Sequence, residues 1–155
     1  RAKEHQLERT ITIFPWIAII DKFQHWVYEH PQHTVEERTT AWMNILTEFS
    51  TTAIDYTGLD AYRAIGWQRQ LHLFEVPFYY IEYGIAQLGA IGHWMQYKKN
   101  PEQALETYMN ALSLGGTKTL PELYKAAGLE FNLTPAYIKT LMEFVKTEMD
   151  QLIPV

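Results

Sequence analysis

The densest run of groups able to do chemistry is Trp67-Gln68-Arg69-Gln70-Leu71-His72-Leu73-Phe74-Glu75-Val76-Pro77-Phe78-Tyr79-Tyr80-Ile81-Glu82-Tyr83-Gly84. Three tyrosines and two glutamates are crowded into a helix start otherwise built from large apolar side chains. Tyr80 and Tyr83 are three residues apart, so on a helix their hydroxyls fall on neighbouring lines of one face. A pair of phenols placed in that way can donate hydrogen bonds to an anionic oxygen, the task of an oxyanion hole. His72, just before the break that Pro77 imposes on Val76, can converge on the same pocket. Spacing alone equally allows half-buried packing tyrosines with their hydroxyls in water, and a core histidine with its hydrogen bonds satisfied. Arg69 and Glu75 can form an ion pair bracketing His72, a contact that contributes only about 0–1 kcal/mol when exposed.

Metal ligation finds less support. A helical zinc protease site needs two histidines four residues apart with a glutamate between them, so that both imidazoles point the same way and the glutamate can act on bound water. The sequence has no such motif. His25 and His30 have Glu29 between them, but five residues turn a helix by about 500°, so the rings diverge. His30 and His33 flank Pro31 in a loop and read as surface histidines. No Glu-x-x-His pattern recurs, which argues against a di-iron bundle.

Positioning these groups falls to helices. Apolar residues recur at helical spacing nearly throughout, and no stretch alternates strictly enough for a strand, so the expected class is all-α. A first helix over Ala2 to Tyr28 carries Leu7, Ile11, Phe14, Ile17 and Ala18, with Asp21 on the same stripe, and Pro15 should kink or split it. Thr34 with Glu37 forms a capping-box pattern ahead of Val35, Ala41, Trp42, Ile45, Leu46 and Phe49 as an inward face. Ser50 to Gly58 reads as a connector and Asp60 to Gln70 as a short helix. A helix from Phe78 to Lys98 has Phe78, Ile81, Ile85, Leu88 and Met95 as its core stripe, with Gly84, Gly89 and Gly92 along it. Each interior glycine costs about 0.5–1 kcal/mol relative to alanine, which points to close approach by a neighbouring backbone or a ligand. Asn100 with Pro101 opens a helix that Gly115-Gly116 ends, Pro121 to Ala127 is a short helix closed by Gly128, and Thr134 with Pro135 opens the last. The five tryptophans read as core. The whole, 1–155, reads as a single helical unit.

Composition narrows the function classes. The chain has 155 residues, 47 % of them hydrophobic and 14 % aromatic, a net charge of −5 and no cysteine. That length and apolar content suit a globular domain with a sizeable core, not a disordered chain. Thirteen Lys and Arg against eighteen Asp and Glu, with no basic run beyond Lys98-Lys99, argue against a nucleic-acid module. Without cysteine there are no disulfides, thiol nucleophiles or thiolate metal sites, and a reducing, cytoplasmic setting fits. The most apolar stretch, Ile11 to Ile20, contains Thr12 and Pro15 and stops at Asp21, too short to span a bilayer. The chain opens with Arg1-Ala2-Lys3 in what reads as mid-helix, as a processed product or an excised piece would.

His72 to Ala90 is similar to the C-terminal signature of the oligoendopeptidase F family of zinc metallopeptidases, relatives of thimet oligopeptidase. Phe14 to Tyr28 resembles the segment that follows the zinc ligands in that family. Tyr108 to Gly128, with its Leu-Gly-Gly and Leu-Pro-Glu-Leu, resembles the tail. The resemblance implies an all-helical zincin fold around a deep channel, in which zinc held by two histidines and a glutamate activates water to hydrolyse oligopeptides. By the same resemblance His72 matches a substrate-binding loop histidine, Tyr83 the tyrosine nearest the developing oxyanion and Tyr80 its partner one turn earlier. The resemblance also implies that Tyr79 lines the same substrate wall, where Gly84 either lets backbone approach substrate or seats a neighbouring helix. The sequence departs from the family in lacking His-Glu-x-x-His and the third glutamate. The expectation is therefore the C-terminal part of a peptidase catalytic domain that ligates no metal itself. It would need the N-terminal part of the same enzyme as partner, bind neither nucleic acid nor membrane, and be inactive alone. The alternative is a non-catalytic helical module that binds peptides or proteins through the same aromatic pocket.

Overall fold

A computed structural model describes residues 2–51 and 53–152, and these are helical with no strand among them. The elements are α1 (Ala2–Glu29), α2 (Val35–Glu48), α3 (Asp60–Ala64), a 3-10 turn (Gly66–Arg69), α4 (His72–Glu75), α5 (Ile81–Lys99), α6 (Pro101–Leu114), α7 (Leu120–Ala126) and α8 (Pro135–Asp150). Arg1, where the sequence was expected to enter a helix, and Thr52 of the connector lie outside the described residues.

Helix boundaries follow local chemistry. Thr34 and Glu37 exchange both bonds of a capping box: the Glu37 amide donates to the Thr34 hydroxyl at 3.1 Å and the Thr34 amide to the Glu37 carboxylate at 2.8 Å. Asn100 caps α6 and Thr134 caps α8, each ahead of a proline in the first turn. Thr119 and Glu122 box the start of α7, and Gly128, at φ 73, turns the chain out of it. Pro15 lies inside α1 without splitting it. The helix expected over Asp60 to Gln70 is divided at Ile65 into α3 and the 3-10 turn.

The chain groups into two compact units, residues 8–84 and residues 1–7 with 85–155. In the first, α1 lays Ile17, Ile19, Ile20 and Phe23 against Trp42 and Ile45 of α2, and Tyr80 completes the cluster. Phe23 meets Trp42 edge-on at 5.0 Å, and the Trp42 indole donates to the Arg63 carbonyl at 2.7 Å, so the large core side chain leaves no polar atom unsatisfied. Val35, expected inside, is 62 % exposed, in a first turn of α2 that is exposed throughout Val35, Glu36 and Glu37. In the second unit Leu88 and Ile91 of α5, Ala104 of α6, and Leu141 and Val145 of α8 are buried. Glu148, 3 % exposed, is held by Lys98 at 3.0 Å. No helix among the described residues is long and apolar enough to cross a membrane.

Candidate active site

The chain between the 3-10 turn and α5 cannot run as one helix, because Pro77 excludes the helical backbone at Val76, which sits at φ −138, ψ 74. Phe78 follows at φ 60, a left-handed conformation that an aromatic residue seldom adopts. What holds it is Gln24 of α1, itself 3 % exposed. Its carbonyl accepts from the Phe78 amide at 2.8 Å, and its amide donates to the Leu73 carbonyl at 3.4 Å. One side chain thus ties both ends of the segment 73–78 to the core helix. The Phe78 ring rests on His25 and Tyr28, at 4.8 and 5.0 Å. Phe78 and Ile81 were expected in the core, but they are 37 % and 36 % exposed, because α5 starts only at Ile81 and the turn lifts Phe78 off its buried face.

The turn brings His72 back onto the first turn of α5. Its Nε2 lies 3.1 Å from the Tyr83 hydroxyl, and its Nδ1 lies 2.7 Å from the Gln70 side-chain amide nitrogen. The Tyr80 ring stands edge-on to His72 at 5.1 Å and to Tyr83 at 5.2 Å. Tyr79 stacks on His72 at 6.2 Å and meets Tyr83 edge-on at 5.7 Å. Four side chains selected in the sequence for their chemistry therefore form one cluster. Tyr80 is its floor: 9 % exposed, with a pKa raised above the ordinary phenol range, mainly by burial. Tyr79 and Tyr83, 47 % and 40 % exposed, face outward. Around them Leu71, Phe74, Val76, Phe78 and Ile81 are also exposed. A soluble surface does not usually concentrate apolar groups in this way unless something docks there.

Gly84 does not join the cluster's open face. It is buried against Ile17 of α1, whose Cγ2 would lie 3.5 Å from an added Cβ. Gly89, its counterpart further along α5, is filled by the Tyr124 ring, whose hydroxyl donates to the Ile85 carbonyl at 2.5 Å. The ion pair expected between Arg69 and Glu75 is replaced by another contact: the Arg69 guanidinium lies over the Trp16 ring at 5.8 Å. Two residues of the site escaped sequence reasoning, Gln24 and Gln70. The available signal was a glutamine next to Phe23 on an otherwise apolar stripe, and a second glutamine two residues before the histidine.

Residues 1–143 match the sequence profile of Peptidase family M3. The chain belongs to peptidase family M3. This M3 chain is 31 % identical to an X-ray structure assigned as an oligoendopeptidase F, with a TM-score of 0.86 over 96 % of its length. It is 30 % identical to PZ peptidase A bound to an inhibitor, again with a TM-score of 0.86 and 96 % coverage. In both cases it spans only 26 % of the other chain. No curated protein sequence matches it. The all-α, oligoendopeptidase-like architecture expected from the sequence is thereby established. The zinc that the resemblance implies does not fit the residues present. Among those described, no group of three or more His, Cys, Asp or Glu side chains could hold a metal ion. His25 and His30 turn instead to the Asp21 and Trp26 carbonyls.

Proposed function

We propose that this M3 chain is the substrate-binding and oxyanion-stabilising wall of a metalloendopeptidase that hydrolyses oligopeptides. In this proposal 1–155 is one part of the catalytic domain, and the metal ligands belong to residues of the enzyme outside these 155. The observation that carries it is the His72–Tyr83 contact at 3.1 Å, set in an exposed apolar surface. When water adds to a peptide carbonyl, negative charge grows on the carbonyl oxygen. A phenol held in place beforehand meets that charge without reorganising, and so favours the transition state over the bound substrate. Tyr83 is the donor in this scheme. Tyr80 is its partner beneath, its pKa raised mainly by burial. His72 and Tyr79 bind substrate backbone, and the exposed apolar side chains around them take the peptide's own side chains.

In the full-length enzyme Tyr83→Phe should lower kcat about 10²–10³-fold while leaving zinc content unchanged. An undiminished kcat would remove Tyr83 from the mechanism and favour a binding module without catalysis.

A further inference from the structure

The two polar contacts of the His72 ring carry more information than their lengths. A neutral imidazole has one N–H and one lone-pair nitrogen, and its partners decide which is which. The Gln70 side-chain nitrogen, 2.7 Å from Nδ1, has hydrogens to donate and no lone pair to offer. With that nitrogen as donor, Nδ1 is the acceptor and the ring proton belongs on Nε2. Nε2–H then donates to the Tyr83 oxygen at 3.1 Å. With its lone pair occupied by His72, the Tyr83 hydroxyl keeps its own hydrogen for another acceptor. With the opposite tautomer Tyr83 would spend that hydrogen on Nε2 and have none for a substrate.

We propose that Gln70 is a positioning residue: it fixes His72 as the Nε2–H tautomer and so directs the Tyr83 hydroxyl hydrogen outward. Local structure supports it. Gln70 closes the 3-10 turn, its amide donating to the Trp67 carbonyl at 3.0 Å and its carbonyl accepting from Leu73 at 3.1 Å. Its backbone is thus pinned on both sides of the residue that must hold the ring. The chain of donors runs in one direction, Gln70 to His72 to Tyr83, and each bond polarises the next toward a stronger donor at the outer end. The catalytic consequence rests on the reading of Tyr83 as an oxyanion donor, whereas the proton position does not.

The first test needs no variant of Gln70. In the full-length peptidase labelled with 15N-histidine, the His72 ring nitrogens, assigned by a His72→Asn variant, should show a protonated Nε2 and a bare Nδ1. A protonated Nδ1 overturns the proposal. The second test compares Gln70→Glu with Gln70→Leu. A carboxylate accepts but cannot donate, so at a pH high enough to keep the ring neutral Gln70→Glu should draw the ring proton to Nδ1 and turn the Tyr83 hydrogen inward. Its kcat should fall about ten-fold or more, at least as far as that of Gln70→Leu, with KM little changed. If Gln70 merely maintained the loop's shape, the near-isosteric glutamate would retain wild-type kcat and leucine would be the damaging change, and that result refutes the proposal. Should Tyr83→Phe keep full activity while His72 shows Nε2–H, the reading of the site fails and the role of Gln70 in setting the tautomer stands.

Discussion

Phe78 stays at φ 60 because the residues around it leave its amide no better place. A left-handed backbone costs an L-residue roughly 1–2 kcal/mol, and here the buried Gln24 carbonyl accepts from that amide while two aromatic rings take the side chain. Gln24→Leu should leave the Phe78 amide without its acceptor and lower stability by about 1–3 kcal/mol, measured by urea denaturation. An unchanged midpoint would mean that the turn is held by its rings alone. Tyr80 gives a prediction with a definite sign in pH. Its pKa is raised, chiefly by burial, and that of Tyr137 is raised for the same leading reason. A raised folded-state value adds stability that is complete below the unfolded phenol value near 10 and is lost as pH rises through the folded value. Stability should therefore decline above about pH 10, and Tyr80→Phe should make that decline shallower; identical alkaline profiles for both proteins would contradict it.

The helix α5 shows how one element serves two ends through its glycines. At Gly84 an added methyl meets Ile17 at an ordinary 3.5 Å, whereas at Gly89 it would lie 2.6 Å from the Tyr124 hydroxyl oxygen. Gly84→Ala should therefore gain about 0.5–1 kcal/mol from helix propensity. Gly89→Ala should lose about 1–2 kcal/mol net, since the displaced Tyr124 forfeits its bond to the Ile85 carbonyl. Thermal unfolding of the two variants checks the contrast, and equal shifts would show that Tyr124 moves freely. The caps act on the same scale. Glu37 and Glu122 have lowered pKa values, first through backbone hydrogen bonds at Thr34 and Thr119. Both boxes thus contribute at neutral pH and weaken as pH falls through the folded values.

At the scale of the molecule the cluster is half of a proposed site. The chain belongs to family M3 and spans 26 % of each of two longer peptidase structures, and no metal ligand set is formed by its described residues. These 155 residues expressed by themselves should bind no stoichiometric zinc and cleave no oligopeptide, whereas the full-length enzyme should do both. Zinc analysis and a fluorogenic peptide assay decide this, and zinc-dependent cleavage by the 155 residues would overturn the division of labour proposed here.

Helix classes and most boundaries were legible in the sequence because caps, prolines and terminal glycines act within a few residues of themselves. Thr34 with Glu37, Asn100 with Pro101 and Thr134 with Pro135 needed no distant partner to be recognised. The candidate residues His72, Tyr79, Tyr80 and Tyr83 were legible too, by type and by resemblance. Tertiary structure decided what those residues do for one another. Phe78 left the core, Tyr80 entered it and Gly84 packed on Ile17 of α1, beside a left-handed turn braced by Gln24, 54 residues away in sequence. Local propensity acts over one or two turns of chain, whereas that bond and the contacts of His72 with Gln70 and Tyr83 exist only after distant parts of the sequence have met.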